Sequence, residues 1–175
     1  MKVITFVGSL RKGSFNQAIA DYVKESTEGT LDIEMVDIEL PYFNEDLEAN
    51  KPEKVQAFLS QIEKADAFLF VSPEYNHTVP GGLKNTIDWA SRGDYLVNKP
   101  AFIMGASVSA IGSARAHVDL RTILDVKGMA VLPANEVLVG QAQDKIHDGV
   151  IVDEGTKKFI DGTVANFIEW YNKVK

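Results

Sequence analysis

The sequence predicts an α/β fold built on an open parallel sheet with helices on both faces. Five short β-rich runs alternate with stretches of helical periodicity along the whole chain. Most of these runs are continuously apolar, as strands covered on both faces must be. The length, 175 residues, suits one such unit. Surface scaling for that mass buries about 70% of the unfolded surface, so the core needs no covalent staple.

The first run, Lys2–Val7, is apolar almost throughout and ends at Gly8. From Phe15 the spacing becomes helical, with Phe15, Ile19, Tyr22 and Val23 on one side. Residues 31–38 alternate apolar and acidic side chains, which predicts a second strand near a sheet edge. A polar, proline-containing loop runs to Pro52. Val55, Phe58, Leu59 and Ile62 then form a helical stripe. Ala67–Val71 reads as a buried strand stopped by Ser72 and Pro73, and residues 83–89 as a helix following Gly81 and Gly82. A fourth strand, 101–104, is entered through Lys99 and Pro100. Ala116, Leu120, Ile123 and Leu124 mark a helix that stops at Gly128. Residues 129–132 form a short fifth strand, with a resumption at 137–139 left open. Residues 141–155 read as loop, and the last helix carries Phe159, Ile160, Val164, Phe167, Ile168 and Tyr171. No repeat, low-complexity tract or linker interrupts the chain, so residues 1–175 are expected to form a single domain.

Composition removes several classes of function. With 18 basic and 25 acidic residues, the net charge is −7; an acidic chain lacks the footprint of a nucleic-acid binder. The absence of cysteine excludes disulfides, Cys-ligated metal and thiol chemistry. Any redox activity must therefore come from a bound cofactor. The N-terminus lacks the pattern of a signal peptide, and no stretch approaches 18 apolar residues. The expected location is cytoplasmic, without membrane insertion.

In open parallel sheets, ligands sit beyond the carboxyl ends of the strands. That singles out residues 8–14, 72–82 and 105–113. The first loop offers the hydroxyls of Ser9 and Ser14, the Arg11 fork, Lys12 and the free N–H groups of a helix start. It reads either as a phosphate nest or as a capped helix, with Ser14 as the cap and the cations solvated. It is neither a dinucleotide fingerprint nor a Walker loop, because Ser14 stands where the lysine of the latter belongs. The second loop, stiffened by two prolines and two glycines, presents Tyr75 and Asn76. It reads either as a platform for a planar heterocycle or as a rigid turn with Tyr75 in the core.

Residues 8–16 (GSLRKGSFN), 73–76 (PEYN) and 79–89 (VPGGLKNTIDW) together resemble the NADPH-dependent FMN reductase family, including its bacterial chromate, quinone and azo-dye reductases. The similarity covers nearly the whole chain and is weakest at 38–52 and 141–154. It implies a flavodoxin-like three-layer α/β/α fold with a five-stranded parallel sheet of order 2-1-3-4-5, and one FMN per protomer. It places Ser9, Arg11, Ser14, Phe15 and Asn16 around the phosphate. Pro73, Glu74, Tyr75 and Asn76 fall along the isoalloxazine, and Ser107 near the ring or ribityl chain. Ser113 stands where the second of two glycines is expected. The implied activity passes hydride from NAD(P)H via FMN to quinones, azo compounds, free flavin or metal oxyanions such as chromate, by a ping-pong mechanism. A homodimer or homotetramer is expected, with Trp89 read either as an interface anchor or as core.

Rival classes fare worse. A serine hydrolase needs G-x-S-x-G, and residues 105–109 (GASVS) lack the second glycine. His77, His117 and His147 have no metal-binding spacing and read as surface or packing residues. A phospho-receiver would need acidic residues where Gly8-Ser9 and Ser72-Pro73 stand. The remaining alternative is a flavodoxin-type electron carrier that acts on protein partners.

Overall fold

The computed structural model describes residues 1–134 and 136–174. Its strands are β1 (Lys2–Val7), β2 (Asp32–Val36), β3 (Ala67–Val71), β4 (Pro100–Ala106), β5 (Ala130–Val131) and β6 (Val137–Val139). They form one sheet of order β2-β1-β3-β4-β5, parallel throughout. β6 pairs further along β4, with Met104 opposite Val137 where β5 sets Ala130 opposite Pro100. The interrupted fifth run is thus one sheet edge in two pieces. β2 is the other edge, and it ends at Val36 rather than at Ile38. The strand order is the one the family resemblance implies.

The helices are α1 (Phe15–Ser26), α2 (Glu53–Ile62), α3 (Gly81–Ala90), α4 (Ala114–Asp125) and α5 (Glu154–Val174). Successive strand side chains point to opposite faces, so the apolar runs feed two separate cores. Val3, Leu69 and Phe102 pack with Ile19 and Val23 of α1 and Phe167 of α5. The Phe102 and Phe167 rings stack at 4.1 Å. Ile4, Phe6, Phe68 and Phe70 pack on the other face against Phe58 of α2, Leu83 of α3 and Leu120 of α4. The result is a three-layer α/β/α arrangement. Among the described residues, no helix is long and apolar enough to cross a membrane.

Two sequence expectations change, and one open alternative closes. Residues 141–155 are not simply loop: β7 (Ile146–His147) and β8 (Val150–Ile151) form an antiparallel hairpin. Its turn residues, Asp148 and Gly149, have φ of 49° and 79°, the paired left-handed conformation that Asp-Gly favours. The strands are too short to show alternation, so that dipeptide was the available signal. α3 starts at Gly81, two residues earlier than expected, because extended Pro80 leads directly into it. Trp89 is fully buried, and its Nε1–H donates to the Pro41 carbonyl at 2.8 Å. It belongs to the core and is not an exposed interface anchor.

Candidate active site

The loops leaving β1, β3 and β4 converge on one side of the sheet and enclose a cleft of about 500 Å³. Nine of the ten candidate residues line it, and Asn76 does not. Gly8 allows the first two loops to meet. A Cβ there would lie 3.1 Å from Leu83 and 3.2 Å from Pro73, which any larger residue would have to displace.

In the first loop, Ser14 caps α1, its Oγ accepting the Asn16 N–H at 3.2 Å. The capped-helix reading is therefore correct for Ser14. The first-turn N–H groups beyond that bond have no partner within the helix. The Arg11 guanidinium lies 5.0 Å from the centroid of the Phe15 ring. Among the described residues, neither Arg11 nor Lys12 has a carboxylate partner. Asn16 is buried, and its side chain is taken up by β4: Nδ2 donates to the Ala106 carbonyl at 3.0 Å, and the Ala106 N–H donates to Oδ1 at 2.9 Å. This pair of bonds fixes the first loop to the third across 90 residues of chain.

In the second loop, Tyr75 is 48% exposed at the cleft, not buried in the core. Its hydroxyl shares a 3.3 Å hydrogen bond with Ser9 Oγ. Tyr75 and Thr78 exchange backbone hydrogen bonds of 3.1 Å around a two-residue turn. The turn residues, Asn76 and His77, both have positive φ, 50° and 67°. Both are exposed, at the tip and outside the cleft lining. Glu74 turns its carboxylate toward α4, accepting the Arg115 N–H at 2.9 Å and the Arg115 guanidinium at 2.8 Å. Burial pushes the Glu74 carboxyl up, but the bonds from Arg115 and Ala116 outweigh it and hold it below the ordinary carboxylate range.

In the third loop, Ser107 Oγ accepts the Ser109 N–H at 3.0 Å and donates to Ser109 Oγ at 3.1 Å. Ala106 and Val108 complete the lining. Sequence reasoning missed both, because apolar residues in a serine-rich loop carry no motif. It also missed the Arg115 anchor, since only the fold brings that residue to Glu74. Glu136 and Arg92 have partners in their own chain. Arg121 Nε donates to Glu136 at 2.6 Å, and Arg92 pairs with Glu48 at 2.8 Å.

A cleft at the carboxyl ends of a doubly wound sheet, lined by an arginine beside a helix N-terminus and by aromatic residues, is the arrangement of a flavodoxin-like nucleotide-cofactor protein. The chain belongs to the NADPH-dependent FMN reductase family, whose family model matches residues 1–144. It is 36% identical to the quinone reductase of Escherichia coli K12 over 183 aligned residues, covering 100% of this chain and 97% of that one. The solved structure of FerB, a flavoenzyme NAD(P)H:(acceptor) oxidoreductase from Paracoccus denitrificans, superposes with a TM-score of 0.90. It shares 37% identity over 99% of this chain and 98% of that one. Flavodoxin 1 from Bacillus cereus, 19% identical with a TM-score of 0.60 over 97% of this chain and 98% of that one, shares the fold. The protein is an oxidoreductase of the NAD(P)H-dependent FMN and quinone reductase type, with FMN as its cofactor. The electron-carrier alternative gives way to an enzyme.

Proposed function

We propose that the cleft binds FMN with its phosphate at the start of α1 and its ring along Pro73, Glu74 and Tyr75. NAD(P)H and an electron acceptor then use the open space above the ring in turn. One observation carries this reading: among the described residues Arg11 and Lys12 stand without carboxylate partners, beside a helix N-terminus in a chain of net charge −7. Cations placed so in an acidic protein suit a dianion. The cleft volume lies within the range of cofactor sites.

When bound, FMN supplies the two-electron chemistry. The chain supplies binding and orientation. The Arg11 fork, the Ser9 and Ser14 hydroxyls and the first-turn N–H groups neutralise and hydrogen-bond the phosphate. Tyr75 and Pro73 offer apolar faces to a planar ring. The bond between Tyr75 and Ser9 makes ring platform and phosphate nest one unit. Glu74, held by Arg115, keeps its carboxylate off the ring and leaves the loop's backbone N–H groups as donors. Asn76 would reach the cofactor only through its backbone or by a turn of the hairpin tip.

A charge-assisted hydrogen bond contributes about 1.5–3 kcal/mol, so Arg11→Ala is expected to weaken FMN binding about 10- to 150-fold. An unchanged FMN titration would remove Arg11 from the site. The cleft is the one place in this reading where nicotinamide and acceptor can meet the ring, and no second phosphate nest is evident in the sequence. NAD(P)H must therefore leave before the acceptor binds. Adding NADPH without acceptor is expected to bleach the flavin absorbance. Double-reciprocal plots at several fixed quinone concentrations should then be parallel; intersecting lines with no bleaching would refute the shared site. An open cleft with few buried polar groups rejects little, which supports a range of acceptors including quinones, azo compounds, free flavin and metal oxyanions such as chromate. The assembly proposed is a homodimer or homotetramer, and light scattering that finds a 19.3 kDa particle at micromolar concentration would rule it out.

A further inference from the structure

We propose that His117 is a positioning residue for the flavin loop, acting through Ser113 and the first turn of α4. This rests on the reading that FMN lies along Pro73, Glu74 and Tyr75. His117 is 0% exposed, and among the described residues neither of its ring nitrogens has a hydrogen-bond partner; the hydroxyl of fully buried Ser113 has none either. Buried polar atoms are rarely left unpaired, and the geometry shows which pairs are within reach. Nδ1 stands 3.6 Å from Glu136 Oε2. Nε2 and Ser113 Oγ converge over the bare Cα of Gly105, where a Cβ would lie 3.0 Å from Nε2 and nearer still to Oγ. The proposed arrangement closes both contacts by side-chain rotation, beside the Ser72 carbonyl oxygen that borders the same point.

The carboxylate decides which nitrogen carries the proton. Arg121 donates to Glu136 Oε1 and holds the carboxylate beside the ring, and His117 and Arg121 together draw its pKa down to about 2 against the opposing effect of burial. An imidazole facing that charge turns its N–H toward it. Nδ1–H then donates to Glu136, and the Ser113 O–H donates to Nε2. The other charged groups at this end of α4 are Glu74 and Arg115, which pair with each other.

Ser113 is the N-cap residue of α4, yet its side chain makes no capping bond. Its hydroxyl turns inward, and Glu74 takes the cap's place on the N–H groups of Arg115 and Ala116, at 2.9 and 3.4 Å. Fixing Ser113 therefore fixes the two N–H groups that hold Glu74, and with them the loop beneath the ring. A glycine at position 113, as the resemblance leads one to expect, would lack that handle.

The test begins with the ¹⁵N-labelled full chain at pH 8. Long-range nitrogen–proton correlation should show His117 protonated at Nδ1 and bare at Nε2. Ser113→Ala and His117→Asn are then loaded with FMN. Each should raise the FMN dissociation constant about 2- to 10-fold, the effect of one neutral hydrogen bond. Both should shift the midpoint potential of the bound flavin in the same direction, and the double variant should go no further than either alone. A proton on Nε2 overturns the proposal, as does a flavin potential equal to the parent's in the variants. If His117→Asn does not fold, Ser113→Ala alone decides. A parent chain that binds no FMN refutes the cofactor reading instead, and the titration shows this before any variant is made.

Discussion

Gly105→Ala is expected to lower the melting temperature by about 10 °C. The added Cβ would fall inside the contact distance of the Ser72 carbonyl oxygen and of Ser113 Oγ. The hydroxyl can rotate away. The carbonyl cannot, because Ser72 is where β3 turns into the flavin loop and its N–H is bonded to Met104 of β4 at 2.9 Å. Forcing an atom into a packed site costs about 3 kcal/mol when the backbone must move, and about 2–4 °C accompanies each kcal/mol at this chain length. Ser113→Gly introduced into the variant should recover only part of the loss, since the clash with Ser72 remains. A melting temperature within 2 °C of the parent would show that the two loops slide apart easily, contrary to the packing described.

Asn16→Ala should cost about 2–6 kcal/mol of stability. The side chain makes two bonds to one residue, and its removal leaves the buried Ala106 N–H and carbonyl unpaired, at about 1–3 kcal/mol for each group. FMN binding should loosen with it, because the same bonds fasten the first cleft loop, where the phosphate is proposed to sit, to β4. Asn16→Asp separates the two contributions: it keeps an acceptor for the Ala106 N–H but sets a carboxylate oxygen against the carbonyl, so it should be no better than alanine. Chemical denaturation checks the order. Loss below 0.5 kcal/mol for either variant would mean that water or a neighbour replaces the amide without penalty.

Much of this molecule is legible in its sequence because the signals are local. A continuously apolar run such as Ala67–Val71 must be covered on both faces. The stripe of Val55, Phe58, Leu59 and Ile62 must face a sheet. Pro100 and Gly128 start and stop elements through their own backbone preferences. The candidate residues Ser9, Arg11, Ser14 and Tyr75 are legible for a related reason: each sits in a loop following a strand, where an open parallel sheet puts its ligands, whereas Phe15 came only from the family resemblance. The β7–β8 hairpin escaped because two-residue strands have no periodicity to detect.

Other features depend on residues far apart in the chain. Nothing in the vicinity of Asn16 says that its amide bonds to Ala106. Nothing near Glu74 in the chain says that its carboxylate pairs with Arg115 of α4. His117 reads as a packing residue until Glu136, Ser113 and Gly105 close around it. Trp89 was equally plausible as surface or core, and the Pro41 carbonyl settled it by accepting the indole N–H. The sequence by itself determined the alternation of elements, the parallel sheet and the loops that line the cleft, because hydrophobic period and backbone preference act over a few residues. Only the tertiary structure decided which polar side chains face the cleft and which brace its walls, because a buried donor or acceptor takes whichever partner the packing brings within about 3 Å.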